Sequence, residues 1–494
     1  MPRLRHIFGA LLCILILGVR CAPAQQTPDQ TQDQTQDQTQ DQGQAQPAQP
    51  IPAIRSPLAS AAGNGGDLYP DQQKLEPDTN PLAGVQDLSL GEMPVTRSNW
   101  QPHADLFVGA TSNALDSTVH TGWTLWTYVL GGVALHRISG VQHLFVNYTG
   151  GGVFTGGGQD SNGVYQALNL TDQFKFRRFT LTFLDQFSYS PEPSLGAGGF
   201  DDLNGSLGLG SSFTPSQGIL TAREQNLNNS FLTQLDARLS KRSSLTFAGG
   251  YSLLHYFNNT NLSYGDVLFR SGYNYQMTRN DTLALIYQFS GLRYSNFGQS
   301  INLNTMHVSY GRRVTGRLAF QVAAGPEIAS FQTPITSSVG GSGSPTISST
   351  TQLYWSLESS LQYGFNRANV AANYSHGVSG GGGVLAGSLA DTVSGSVSRQ
   401  WTRTLNASGN VGYSRNSGLG VAGTATPNHQ TFDYWFVGVG FSHPWTRDLS
   451  LQGSYHLQYQ NSNSSFCVGV TCGTNIIVHE FSVGVNWQRR PIPF

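Results

Sequence analysis

The last long run of the chain, residues 476 to 488, alternates between apolar and polar side chains, and this pattern gives it two different faces. Side chains in a β-strand point to opposite sides with period two. One face carries the apolar, aromatic-ended row Phe481, Val483, Val485 and Trp487. The other face carries Glu480, Ser482, Gly484, Asn486 and Gln488. The pattern predicts a strand with an apolar surrounding on one side and water on the other.

The same alternation recurs in runs of ten to fifteen residues from His103 onward. Further apolar rows are Leu283, Leu285, Tyr287 and Phe289, then Leu353, Trp355, Leu357, Leu361, Tyr363 and Phe365. Each run is long enough to cross a bilayer as a tilted strand. Charged residues make up 11% of the chain and glycine occurs 58 times, whereas ordinary soluble domains have about 25% charged residues. Composition and alternation together predict one repetitive all-β architecture.

Short connections between the runs give the strand number. They fall near Ile138, Arg177, Arg242, Asn280, Thr315, Arg367, Thr402 and Arg447. Eight hairpins turned there supply sixteen strands, and one strand before them and one after them make eighteen, with sixteen as the alternative. Because every backbone polar group in lipid must be paired, the strands are expected to close into a transmembrane antiparallel up-and-down β-barrel.

The final strand resembles the C-terminal insertion strand of bacterial outer-membrane β-barrels, on its aromatic-rich row from Phe481 to Trp487. In that family an aromatic residue usually ends the strand, whereas here residues 489 to 494 follow as a short tail. The resemblance implies a porin-like barrel in the bacterial outer membrane. It also implies insertion by the barrel-assembly machinery, with Phe481, Val483, Val485 and Trp487 as the membrane-insertion strand.

The N-terminal hundred residues predict two segments that precede the barrel. Arg3 and Arg5, an apolar run from residue 7 to 19, and small residues at 22 to 24 indicate a signal peptide cut after Ala24. Residues 25 to 100 are rich in Gln, Asp and Pro and repeat Thr-Gln-Asp-Gln. This composition predicts a disordered periplasmic tether, so the barrel itself is assigned to residues 101 to 494.

Positive charge gathers at the predicted short turns. Of the 21 Lys and Arg residues after residue 100, sixteen lie at or beside a short turn or the chain end. In the barrel class these turns face the periplasm, so a positive rim over phospholipid headgroups is expected, with membrane lipids as partners. Nothing in the sequence is basic enough to indicate a nucleic-acid partner.

One connection, from Pro191 to Asn228, is much longer than the others, and connections of that length are usually functional. It resembles the third long loop of general porins, which folds into the barrel and constricts it. The resemblance rests on Pro191, Glu192, Gly198, Gly199, Phe200, Asp201 and Asp202. It implies that Glu192, Asp201 and Asp202 are pore-constriction residues, and a solvated surface loop is the alternative.

The predicted lumen is polar and weakly charged. By parity its residues are mainly Ser, Thr, Asn, Gln and Gly, with the few charges Asp236, Arg238, Arg270, Glu358 and Glu480. Arg270 and Glu358 are added to the constriction candidates. Such a lumen in a barrel of this width fits a water-filled channel better than a ligand cavity.

Cys467 and Cys472 remain after signal removal, and an even count in an exported protein predicts a disulfide. No metal site or cofactor is expected, since His479 alone cannot hold a metal. The histidines are scattered, and His376, His443 and His456 have no acid close to them in the sequence. No catalytic residue is assigned, and the protein is not expected to be an enzyme.

Two acids interrupt apolar rows of the hairpin that turns at Arg177. Asp172 and Asp185 should point toward lipid, with Asp172 opposite Phe183 and Asp185 opposite Leu170. A β-bulge could turn each acid inward. The alternative is a subunit interface, which predicts a homotrimer packed through this hairpin.

The function predicted from these features is a porin-like outer-membrane channel for passive diffusion of small hydrophilic solutes. The alternative is a barrel that anchors a secretion or assembly partner in the periplasm through the 25 to 100 tether. A soluble secreted β-protein is the third reading of the same alternation.

Overall fold

The computed structural model describes residues 98–112, 122–156, 162–190, 225–257, 262–295, 298–335, 346–365, 367–380, 385–402, 404–419, 430–468 and 471–494. The predicted signal peptide, nearly all of the predicted tether and loop positions 191–224 lie outside these ranges. Within them, no helix is long and apolar enough to cross a membrane.

Eighteen strands form one antiparallel barrel in which each strand pairs with its sequence neighbours and the last pairs with the first. The strands are β1 (Asn99–Thr111), β2 (Thr124–Ser139), β3 (Gln142–Thr155), β4 (Gly163–Lys175), β5 (Phe179–Ser190), β6 (Asn226–Arg238), β7 (Ser243–Tyr256), β8 (Tyr264–Gln276), β9 (Asp281–Tyr294), β10 (Ser300–Arg313), β11 (Leu318–Ile335), β12 (Thr346–Gly364), β13 (Ala368–Ser379), β14 (Ser388–Gln400), β15 (Asn406–Gly418), β16 (Thr431–Pro444), β17 (Leu449–Val468) and β18 (Thr471–Gln488). The predicted fold class and the count of eighteen are confirmed.

The eight predicted short turns are also confirmed, and all lie at the barrel end where β1 begins and β18 ends. The tightest turn joins β2 to β3 through Gly140 and Val141. Gly140 has a φ of 54°, in the left-handed region that a residue with a Cβ rarely adopts. The resemblance to outer-membrane barrels predicts that this end faces the periplasm, and we call it the periplasmic end and the opposite end the extracellular mouth.

Exposure follows the predicted alternation. On β18, Phe481, Val483 and Trp487 are 48%, 56% and 42% exposed on the outer surface, whereas Glu480 on the inner face is 1% exposed. The nine residue pairs between β1 and β18 supply hydrogen-bonding partners for the backbone groups of the two strand edges that would otherwise be open. An unpaired backbone group in hydrocarbon costs several kcal/mol, so this closure is what allows the apolar outer face to sit in lipid.

The tail after β18 forms a further short strand instead of ending freely. Strand β19 (Ile492–Pro493) pairs with Asn99 and Trp100 at the start of β1. The Phe494 amide also donates to the Ser98 carbonyl at 3.3 Å. The residues that depart from the outer-membrane insertion pattern therefore extend the periplasmic rim beside the closing strand pair.

The basic rim contains an ion pair and a cation–π contact. Arg312 Nε lies 3.6 Å from Asp281 Oδ1 at the turn between β8 and β9. The Arg399 guanidinium lies 5.0 Å from the centre of the Trp401 ring. Such cation–π contacts let an aromatic side chain at the membrane boundary hold a charge at the headgroup level.

Candidate solute pathway

The middle of the inner face carries ionisable side chains on β8, β10, β11 and β12. This central charged group consists of Arg270, His307, Glu327 and Glu358. Arg270 and Glu358 interact electrostatically, and His307 interacts with both. Arg270, His307 and Glu327 are buried against the wall, whereas Glu358 is partly exposed. The structure therefore brings together Arg270 and Glu358, two of the predicted constriction residues.

Glu327 ties three strands together across the inner wall. The Thr305 hydroxyl on β10 donates to Glu327 Oε1 at 3.4 Å. The Val378 amide on β13 donates to Glu327 Oε2 at 3.0 Å, so the side chain reaches past β12. This amide needs a partner because pairing between β12 and β13 ends at Leu357 and His376.

After His376 the chain no longer pairs with β12. It contacts the inner wall formed by β8, β9 and β10 instead. The Tyr294 hydroxyl on β9 donates to the Gly380 carbonyl at 2.8 Å. The Tyr264 ring on β8 packs on Gly380, and Ile301 on β10 packs against Gly387. Gly387 has a φ of 88°, so it turns the chain back toward β14. The described ends of the β13–β14 connection thus lie against β8–β10.

An apolar cluster surrounds this contact at the extracellular end of the barrel. Its buried members on β7 to β11 lie on inward positions, whereas Val378 on β13 shares the strand face of His376 and joins the cluster where β13 has left β12. The buried members are Leu254, Tyr256, Tyr264, Leu292, Tyr294, Ile301, Leu303, Ala329, Phe331 and Val378. We call them the mouth cluster. A solute entering the lumen passes this cluster before it reaches the central charged group.

The inner wall is less uniformly polar than the sequence predicts. Phe107 and Trp126 both face inward and are 1% exposed, in a cluster with Tyr128, Leu130 and Val153. Parity alone would place such rings in the lumen. Instead, Phe107 lies over Gly484 and Trp126 lies over Gly109, where a Cβ would collide with each ring. The two glycines let the rings lie along the wall.

Other predicted lumen charges occupy inward positions, and the structure adds more. Asp236 accepts hydrogen bonds from Thr246 at 2.6 Å and from Gln234 at 2.7 Å. Glu480 lies inward opposite His456. The prediction missed the inward acids Asp105, Asp266 and Glu327. The inward position of Asp266 could have been predicted from that of Arg270, because residues four apart on a strand point to the same face.

The predicted loop constriction lies outside the described residues. Glu192, Asp201 and Asp202 all fall within positions 191–224, so their constriction role stays a prediction. The disulfide also stays a prediction, because the side chains of Cys467 and Cys472 are outside the described part. The backbone register does place these two cysteines directly opposite each other in the β17–β18 hairpin.

Asp172 and Asp185 face outward, and the predicted register is confirmed. Asp172 pairs with Phe183 and Asp185 with Leu170. The β-bulge alternative is wrong, because β3 to β6 pair without a register shift. Each acid instead accepts hydrogen bonds from an amide on a neighbouring strand. Gln142 donates to both oxygens of Asp172 at 3.0 and 2.9 Å, and Asn229 donates to Asp185 at 2.8 Å.

One histidine has an acid close to it in space, although none is close to it in the sequence. His376 Nδ1 lies 2.6 Å from Asp391 Oδ1, because the β13–β14 register places the two residues opposite each other. The pair lies on the outer surface. His456 is buried beside the Phe436 ring. In the part of the chain that the structure describes, no group of three His, Cys, Asp or Glu residues could hold a metal ion.

Comparison with known proteins finds structural but not sequence similarity. No family model matches the chain, and no curated protein matches it. Pseudomonas aeruginosa OpdQ is similar over 80% of this chain and 98% of its own, with 9% identity and a TM-score of 0.39. Acinetobacter baumannii OccAB3 is similar over 80% of this chain and 100% of its own, with 10% identity and a TM-score of 0.39.

The ferric-catecholate import receptor Fiu of E. coli K12, in its closed form, is similar over 81% of this chain and 83% of its own. The identity is 8% and the TM-score is 0.42. Similarity at these values carries no argument about function. The eighteen closed strands, the apolar outer face and the partly polar interior are themselves the porin-like outer-membrane architecture that the sequence predicts.

Proposed function

We propose that this protein is an outer-membrane channel through which small hydrophilic solutes diffuse passively. The observation that carries the proposal is the central charged group on the inner face of a closed barrel of eighteen strands. Barrels of sixteen or eighteen strands leave an aqueous bore. Glu358, the partly exposed member of this group, gives a solute a hydrogen-bonding partner in place of water.

The central charged group supports weak charge selectivity. Arg270 and Glu358 have opposite signs and project from β8 and β12. Their electric fields therefore partly cancel in the lumen. A solute can reach the partly exposed Glu358, whereas the buried Arg270 acts on it only through its charge, so polar neutral or zwitterionic solutes are favoured over strongly charged ones.

Planar-bilayer recording of the mature full chain tests the proposal. Open-channel current steps are expected in symmetric KCl. A chain lacking residues 25–97 should give the same steps, because Ser98, the first residue that the structure describes, already bonds to the barrel wall. Absence of steps from both proteins would reject the channel and favour the anchor for a periplasmic partner.

A single substitution tests the central charged group. Glu358→Gln removes a partly exposed negative charge from the lumen, so the reversal potential in a KCl gradient should move toward anion preference. Asp433→Asn removes a negative charge from the outer surface and is the matched control. Equal reversal potentials for all three proteins would contradict a role of Glu358 in the pathway.

A further inference from the structure

The outer surface of β13 to β16 carries four ionisable side chains in one cross-strand row. Register pairs His376 with Asp391, Asp391 with Arg415, and Arg415 with Asp433. Each is the third or fourth residue from its strand end at the extracellular mouth. We call these residues the outer charged row.

The row faces away from the lumen. Its neighbours along the strands, such as Thr392 and Ser414, are buried on the inner face, whereas Arg415 is exposed. A cationic side chain on the lipid face costs about 2–4 kcal/mol at the bilayer midplane but only about 0–1 kcal/mol near the interface. Charges placed this close to the strand ends therefore indicate the level of the outer-leaflet headgroups.

Aromatic side chains next to the row orient its two acids. The Tyr374 hydroxyl donates to Asp391 Oδ1 at 3.1 Å, and the Tyr413 hydroxyl donates to Asp433 Oδ1 at 2.7 Å. Trp355 stacks on His376 with ring centres 4.0 Å apart. Among the described residues, no hydrogen bond reaches Oδ2 of either acid. The acids are thus fixed in position with one oxygen available on the outer surface.

This arrangement matches a phosphorylated sugar. A guanidinium binds phosphate oxygens with two parallel hydrogen bonds. Carboxylates accept hydrogen bonds from sugar hydroxyls, whereas they repel the phosphate group of a ligand that has no hydroxyl groups to donate. Arg415 between Asp391 and Asp433 offers both kinds of contact side by side. We propose that the outer charged row binds the phosphorylated sugar headgroup of a glycolipid in the outer leaflet.

The proposal rests on the outer-membrane location of the barrel and is independent of channel activity. Its test uses the purified mature chain in detergent, with lipid retention measured by native mass spectrometry. The probes are lipid A with two phosphates, the same lipid after removal of both phosphates, and phosphatidic acid. Lipid A with two phosphates should bind most tightly, since only it supplies both phosphate and sugar hydroxyls.

Arg415→Gln should weaken binding of lipid A about tenfold or more, the usual size of a lost hydrogen bond to a charged group. Arg293→Gln is the matched control, because Arg293 is exposed on the outer surface near the extracellular end of β9 but pairs with Ser300 and Gly265. This control should bind like the wild type.

Three results would overturn the proposal. Phosphatidic acid binding as tightly as lipid A would show that the sugar contributes nothing. Equal binding of lipid A by the wild type and Arg415→Gln would show that the Arg415 guanidinium does not contribute to the site. A change from oligomer to monomer in Arg415→Gln would assign the row to a second copy of the chain. Single-channel conductance of Arg415→Gln should equal that of the wild type, which separates this test from that of the channel.

Discussion

Two regions of the outer surface carry carboxylates, and they are built differently. Across β3 to β6, Asp172 and Asp185 each accept hydrogen bonds from a neutral amide of the same chain. Across β13 to β16, Asp391 and Asp433 accept bonds from tyrosines and flank an arginine. Asp185 is the seventh of the twelve residues of β5, whereas Asp433 is the third residue of β16.

We attribute the difference between Asp185 and Asp433 to depth in the membrane. Asp172 is the fourth residue from the end of β4, so depth does not account for its amide partner. Asp185 lies at mid-strand on the face turned away from the lumen, and there the chain itself supplies the donor. A neutral amide does this without adding a second charge to hydrocarbon. Near the strand end, headgroups supply further partners, so charged and aromatic neighbours are tolerated there.

The largest expected effect concerns the predicted homotrimer packed through the β4–β5 hairpin. Asp172→Asn combined with Asp185→Asn should convert the oligomer band of an unboiled gel to monomer, because acceptors for a neighbouring subunit are weakened. Asp391→Asn combined with Asp433→Asn is the matched control and should leave the band unchanged. A wild type that is monomeric in mild detergent would contradict the interface.

A smaller effect is expected from removing one amide donor. Asn229→Leu should lower the free energy of unfolding by about 2 kcal/mol, since Asp185 would lose its hydrogen bond in hydrocarbon. Asn229→Leu with Asp185→Leu should restore most of that loss, because neither polar group remains. Urea-dependent unfolding in phospholipid vesicles measures both, and equal losses for the single and double variants would oppose the depth explanation.

The smallest effect is expected in the outer charged row. Asp391→Asn should change the free energy of unfolding by about 0.5 kcal/mol or less, since interactions of exposed charges contribute little. The same vesicle assay applies. A loss as large as that of Asn229→Leu would mean that the row lies deeper than its position near the strand ends indicates.

Regular features of the barrel could be predicted because each depends on local sequence. Alternation fixes the face of every residue, and a short turn fixes the register of its hairpin. The pairs Asp172–Phe183 and Asp185–Leu170 follow from the turn at Arg177 alone. The inward position of Asp266 could have been predicted by the same reasoning.

Other contacts depend on distances that the sequence does not contain. His376 and Asp391 meet because of the register across the β13–β14 connection, whose length does not set the pairing. Phe107 lies flat only because Gly484 comes from the other end of the chain. Glu327 binds the Val378 amide only because β13 leaves β12 early.

The pairing of β1 with β18 has a consequence for the order of folding. His103 pairs with Gln488, so the contact joins residues near the two ends of the barrel sequence. Contacts this distant are slow to form, because the chain loses the entropy of loop closure before the contact stabilises the fold. Until β18 arrives, the sheet has two open edges, each able to pair with a foreign strand. The C-terminal strand is thus the one that ends this exposure, and any delay in its pairing sets how long the partly closed sheet remains open to aggregation.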